Sequence, residues 1–552
     1  MRRNTILLFL ILLLGFILRF YALGQIPVSL HRDEVFLGYN GYSIFKIGND
    51  ISGNFLPLHL ESFLFSPAGY SYFSIPFISL FGLNEFSVRA ASGLFGFLTI
   101  PLIYFLTKLL LEKHKEREII ALFPAFIFSI SPWHINLSRV ATENTLATFF
   151  ITLGILLFII WLKNKKLRFI LFSFISFCIT LVIYQAPRPF LPIFLPFMGF
   201  ILGFKLLLKK EVTLLSVLFA LILLPIILIL NSPQLSYRVR TLNIFEHPQT
   251  QIMVTSWLIG DSMVGLPEAL TRPFHNKAVG YSLVFSENYL NHFSPGFLFF
   301  DKGFPDRYRI PQVGLLYLFE IILLFISIVY LAKKNLKVFT FLSGWILVSF
   351  VGSALTFDDI PNLQRTLTAV PPFSILSGLG LFLLYSFLKT RKFKKYYISA
   401  IFLIVIFSIG FYLIQYYSYA KVYRPWYRQD GYKELVEKVN FYLKDEKQAV
   451  ITNRETAPTI FFLFYNKYDP SIFQKETKGS DLAKTDYASF SKYKFTDEEC
   501  PVRIDEVTER LIGQREVLYV NSGLCKDVEG TSLLYTVKRT DGSPAFKILK
   551  IQ

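Results

Sequence analysis

Between residues 5 and 416 the chain returns again and again to apolar runs close to the length a helix needs to cross the roughly 30 Å hydrocarbon core of a bilayer. The runs fall near 5–23, 86–107, 119–133, 145–162, 169–184, 189–208, 213–231, 313–332, 337–356, 367–388 and 397–416. Such a pattern leaves few folds open, because in hydrocarbon a lone segment satisfies its backbone donors and acceptors only as a helix. With 53% hydrophobic residues, 60 Phe and only 17% charge, the chain is too apolar for an ordinary soluble protein. The expectation is an all-α polytopic membrane protein of about 11 spans.

Short cytoplasmic loops retain Lys and Arg, so the basic clusters orient the spans. MRR, KLLLEKHKER, KNKKLR, KLLLKK, AKKNLK and KTRKFKK occupy every second connection. The alternate connections hold an Asp-Glu pair, SPWHINLSRVATEN, YQAPR, a long segment 232–312, FDDIPNLQR and the C-terminal region. The first set is read as inside and the second as outside, in the plasma (inner) membrane of a prokaryote with the N-terminus cytoplasmic. This placement accounts for the net charge of +18. No aromatic-interleaved basic face, Walker loop or GxGxxG motif accompanies it, so nucleic acid is excluded as a partner. MRRNTILLFLILLLGFILRF lacks a small-residue cleavage site and is read as a retained first span.

Two domains are expected: a membrane domain 1–420, with outer loops 24–85 and 232–312, and a small extracytoplasmic α/β domain 421–552. Within the first loop, VFLGYNGYSIFKIG and YSYFSIPFISLFG read as short interfacial helices. In the C-terminal region GYKELVEKVNFYLKD has helical periodicity and QAVITNR reads as a strand. Cys178 falls inside a span, whereas Cys500 and Cys525 lie in the outer domain, where a disulfide between them is permitted.

The chemistry concentrates in SLHRDEVFLGYNGYS, residues 29–43. Adjacent carboxylates repel and hold water, so Asp33 and Glu34 need a reason to sit beside a membrane. One reason is a helix start, where acids complement the dipole. Another is catalysis, since a carboxylate at the interface can take the proton of an attacking hydroxyl.

The order of elements supports the second reason: a first span, DE opening a juxtamembrane helix, a Pro-containing aromatic segment, FGLNEFSVRAASGLFGFLTIPLIYFL, then SPWHINLSRVATEN before the fourth span. That order resembles the GT-C superfamily of membrane glycosyltransferases. It is similar in particular to the protein O-mannosyltransferase and aminoarabinose–lipid A transferase branch, most densely over residues 20–150. The resemblance implies transfer of a sugar from a polyprenyl-phosphate donor to a hydroxyl acceptor (lipid, glycan or protein) outside the membrane, with inversion. Asp33 matches the first acid of the DE motif and is the expected general base, with Glu34 orienting it or raising its pKa by like-charge repulsion.

Arg89 matches an arginine the family often places at the start of the second span and is a substrate-binding candidate; its other readings are a salt bridge to a loop acid or an interfacial anchor. Arg139 and Glu143 lie four apart and would pair if one helix carried both. Arg188 in YQAPRPF and Arg365 in NLQRTLTAVPPF precede spans on the outer side, where each is either a flanking anchor or a cation that holds a phosphate; the resemblance favours Arg365, since relatives commonly have an arginine before a Pro-containing late span. Relatives often place Lys or His before a Pro-Pro pair; here FLFSPAGYSY has Ser66 and Ala68. His59 or His31 is the expected substitute, Glu61 a nearby second acid, and Tyr39 a further substrate-binding candidate. The aromatics of 232–312 suit a sugar platform or an interfacial belt. His134 reads as an interfacial histidine. No cofactor is certain; a divalent cation would have only Asp358 and Asp359 as weak ligand candidates. The competing class is a transporter or flippase of lipid-linked sugars, whose expected inverted halves are not evident.

Overall fold

The computed structural model describes residues 2–61, 65–203, 207–232, 237–246, 248–482, 487–505 and 510–552. The chain forms two compact units: one of Met1–Arg19, Phe95–Leu137 and Asn144–Tyr412, the other of Phe20–Leu94, Ser138–Glu143 and Leu413–Gln552.

The first unit is helical, and helices stand on the expected apolar runs. Among the described residues, seven helices are long and apolar enough to cross a membrane, or eight if a bent pair is one span. The bent pair is Arg117–Ile130 with Pro132–Ser138, turned by 56°. Pro132 follows the bend, as expected of a residue that cannot continue a preceding helix but starts a new one well. Leu167–Ile183 and Pro187–Gly203 are shorter, and the run at 313–332 becomes helical only from Glu320 to Lys334. Pro192 and Pro196 each remove a backbone donor from Pro187–Met198, and a π-turn, Gly199–Gly203, follows it. The long segment expected as an aromatic platform is itself helical over Pro248–Val264 and Lys277–Asn291; its residues 233–236 and 247 lie outside the described residues.

The second unit joins residues 20–94 to the C-terminal region. Both anticipated loop helices are present, as Arg32–Ile47 and Gly69–Phe81. A short antiparallel bridge, His59–Leu60 with Ser66–Pro67, lies between them in sequence. The C-terminal region builds a five-stranded mixed sheet in the order Tyr493–Thr496, Gln448–Thr452, Val517–Ser522, Pro544–Ile551, Thr531–Lys538. Gln448–Thr452 runs parallel to both its neighbours, and the remaining pairings are antiparallel. VLYVNS is buried at every position, as a strand covered on both faces requires. Helix Tyr432–Tyr442 turns its buried side, with Leu435, Val436 and Val439, inward, and Tyr432 stacks on Phe461 at 4.0 Å. Cys500 and Cys525 are bonded.

Thus the expected cut at 420/421 does not follow the compact units. Residues 20–94 pack with the C-terminal sheet region through specific contacts. The Tyr39 hydroxyl donates to the Tyr468 carbonyl at 2.7 Å, the Arg32 N–H to Gln429 Oε1 at 2.7 Å, and Ser29 to Asp430 at 2.6 Å.

Candidate active site

Helix Arg32–Ile47 begins at His31, whose Nδ1 accepts the Asp33 N–H at 3.2 Å. The His31 N–H in turn donates to Glu34 Oε2 at 3.1 Å, a reciprocal capping box that fixes where the helix starts. Because Nδ1 is already an acceptor, it cannot also donate to the Asp33 carboxylate 3.4 Å away. Gly48, at φ 75°, closes the other end. Within the helix, Gly41 is needed for close approach: a Cβ there would fall 2.8 Å from the Ser71 carbonyl. The helix is thereby held rigidly against Gly69–Phe81.

The two acids of the doublet have opposite environments. Glu34 is fully buried. Its Oε1 accepts from Arg89 Nε at 3.0 Å and from the Ala141 N–H at 2.8 Å, while Oε2 accepts from His31 N–H and lies 3.4 Å from Arg89 Nη2. Arg428 Nη1 stands 3.9 Å from Oε2. Burial alone would raise the Glu34 pKa, but Arg89 outweighs it, with Arg428 and the Ala141 N–H adding to the effect, so the carboxyl is held below its usual value. A carboxylate so charged and so fully bonded is an anchor. Asp33, by contrast, keeps 26% of its side chain exposed, with Arg32 Nε at 3.8 Å.

Arg89 spends its guanidinium inside the fold. Besides Glu34, Nη1 donates to the Leu23 and Pro27 carbonyls at 3.2 and 2.8 Å, and Nη2 to the Ser29 carbonyl at 2.7 Å. The expected salt bridge to a loop acid is present, with Glu34 as the acid. Arg139 is likewise buried, donating to the Tyr21 and Ile26 carbonyls and to the Tyr416 hydroxyl, with Tyr416 and Tyr417 rings at 5.4 and 5.3 Å. The helical Arg139–Glu143 pair does not form because the chain leaves the helix between Ser138 and Glu143. Glu143 instead accepts from Ser66 at 2.8 Å. Tyr39 is fully buried with its hydroxyl given to Tyr468. His59 lies on the bridge strand and Glu61 just beyond it.

The remaining candidates belong to the helical unit. Arg365 donates to Thr356 Oγ1 at 2.6 Å and to Asp358, both its carbonyl and its carboxylate, at 2.9–3.0 Å. Asp359, at φ 51°, has its pKa raised by burial, against a lowering by Arg307. Among the described residues no group of three or more His, Cys, Asp or Glu is arranged to hold a metal ion. Arg188 is buried, and its Nε and Nη1 have no hydrogen-bond partner among the described residues; Nη2 reaches only the Leu181 carbonyl at 3.5 Å. His134 is buried beside Arg19, Nη2 to Nδ1 3.1 Å. His292, overlooked in the sequence, receives the Asn362 N–H on Nε2 and gives Nδ1–H to the Asn288 carbonyl; burial pushes its pKa down to about 4. Arg428, Gln429 and Asp430 were also missed, being some 395 residues from the helix start they contact; their only signal is the turn-like RQDG.

Residues 66–229 match the family model of dolichyl-phosphate-mannose-protein mannosyltransferases, well under half of the chain. ArnT from Cupriavidus metallidurans, solved in the apo state and bound to undecaprenyl phosphate, superposes with a TM-score of 0.51 over 98% of this chain and 97% of that one. The fold is that of the GT-C membrane glycosyltransferases. The GT-C likeness is one of shape, since sequence identity to ArnT is 11–12%. The archaeal oligosaccharyltransferase AglB from Archaeoglobus fulgidus, solved with an inhibitory peptide and a dolichol-phosphate, matches with a TM-score of 0.50 and 15% identity. That match covers 84% of this chain, which spans only 63% of AglB. No curated protein sequence gives a significant match. With this GT-C fold and its apolar helices, the chain is a multi-pass integral membrane protein.

Proposed function

We propose that the protein transfers a sugar from a polyprenyl-phosphate carrier to a hydroxyl acceptor outside the membrane, with Asp33 as general base. The observation that carries this reading is the split within the acidic doublet: Glu34 is buried and ion-paired, and Asp33 is partly exposed on the same rigid helix start. Adjacent acids in opposite environments are a recurring way to separate an anchor from a reacting group. ArnT with undecaprenyl phosphate and AglB with a dolichol-phosphate point to the donor class.

In the proposed step the acceptor hydroxyl attacks the anomeric carbon and its proton passes to Asp33. The bond to the phosphate oxygen breaks on the opposite face, so the configuration inverts and polyprenyl phosphate leaves with the electron pair. That charge asks for a cation. Arg188 and Arg365 are the arginines proposed for a phosphate; Arg365 is engaged by Thr356 and Asp358, whereas Arg188 has two buried donors without a partner among the described residues, so Arg188 is assigned to the phosphate. Glu34, Arg89 and Arg139 are assigned to positioning. A hexose or pentose, any divalent ion, eleven spans with the three shorter helices included, and a plasma-membrane location with the C-terminal region outside complete the proposal. The transporter reading gains no support, since the matched family and folds are glycosyltransferases.

The test is transfer from a radiolabelled panel of polyprenyl-phosphate sugars in native membranes, wild type against Asp33→Asn. Loss of transfer in a variant that unfolds at the wild-type temperature is the expected result. Full transfer by Asp33→Asn moves the base to another acid, Glu61 first.

A further inference from the structure

Orientation alone asks only that lysine-rich connections lie on one side of the bilayer. Three of them, at residues 108–117, 163–168 and 332–337, do more, because residues of all three line one cavity of about 450 Å³. Its wall is apolar, with Ile159, Leu162, Leu331, Val338 and Leu379, and Lys113, Lys163, Lys334 and Lys337 join it with Glu112. Four lysines against one glutamate leave three positive charges. Two lysines are engaged: Lys163 with the Glu112 carboxylate, and Lys337 with the Leu202 carbonyl at 2.9 Å. Lys113 and Lys334 are exposed, and neither forms an ion pair among the described residues.

An apolar hollow with uncommitted ammonium groups beside it is complementary to an anion carrying hydrocarbon. We propose that this cavity binds an anionic diacyl phospholipid, its headgroup phosphate between Lys113 and Lys334 and the start of its acyl chains against the apolar wall. The site uses none of the residues assigned to sugar transfer, and it stands or falls apart from that reading.

Full-length protein in neutral detergent, exposed in turn to phosphatidylglycerol, phosphatidylcholine and undecaprenyl phosphate and examined by native mass spectrometry, tests the proposal. Phosphatidylglycerol should be retained one to one, at least about tenfold more than phosphatidylcholine. The pair Lys113→Ala and Lys334→Ala should lower that retention about tenfold, and Lys113→Arg with Lys334→Arg should preserve it. Lys209→Ala with Lys395→Ala, which removes two exposed lysines that do not line the cavity, should leave it unchanged. Equal retention of the two diacyl lipids overturns the proposal. So does equal loss in the control pair, which would mean diffuse surface charge, or retention of undecaprenyl phosphate in place of phosphatidylglycerol.

Discussion

Two acidic doublets, Asp33-Glu34 and Asp358-Asp359, look alike in the sequence and are built differently. In both, one acid is clasped by an arginine, but the reach of the clasp differs. Arg365 is seven residues from Asp358, and together with Thr356 it closes its own short loop. Glu34 draws on Arg89, Ala141 and Arg428, from three distant segments. The partners differ in exposure as well: side-chain exposure is 0% for both Glu34 and Arg89, and 34% and 19% for Asp358 and Arg365. A local, half-wet clasp shapes one turn. A buried clasp gathers a whole unit, and so holds the neighbouring Asp33 in a fixed position at the helix start.

Five variants break or sharpen the comparison. The largest effect belongs to Asp33→Asn: transfer should fall by about 10²–10⁴, the usual worth of a positioned base, with thermal stability unchanged. A similar loss from Asp358→Asn would erase the distinction between the doublets. Glu34→Gln should come next, destabilising by about 3–5 kcal/mol in chemical or thermal unfolding, because it leaves Arg89 buried beside a neutral group. Its pH dependence has a definite sign. With the folded pKa lowered, the Glu34 contribution is full above the unfolded value near 4.3 and is lost as pH falls through the folded one. Wild-type melting temperature should therefore decline below about pH 4.5, and Glu34→Gln should flatten that decline; an unchanged slope would break the anchor assignment.

Opening the Cys500–Cys525 bond, by Ser at both positions, should cost about 3 kcal/mol in the C-terminal region, the scale expected of a loop of this separation. Smallest of all, Asp358→Asn should cost no more than about 1 kcal/mol, since the pair with Arg365 is part-exposed and screened. Asp359→Asn should stabilise slightly near neutral pH, because burial raises the Asp359 pKa and so opposes the charged form. Melting curves of both variants check this arm.

Much of the fold was legible because its cause is local. Apolar runs of span length became helices, His31 and Glu34 capped the helix that VFLGYNGYS suggested, and GYKELVEKV and QAVIT became the helix and strand their periodicities imply. The doublet, too, could be singled out from the sequence, because charge beside hydrocarbon is costly and conspicuous. Where expectation failed, the cause was a break that periodicity does not record: residues 139–142 leave the helix, so Arg139 and Glu143 never share a face.

The sequence by itself determined that helices would form, roughly where, and that Asp33 and Glu34 would stand at a helix start. Only the tertiary structure decided which acid became the anchor. Arg89 lies 55 residues from Glu34, Ala141 lies 107 away, and Arg428 belongs to the C-terminal region. Whether a carboxylate is buried with its donors or left partly in water depends on which distant segments close over it, and local patterning carries no record of that.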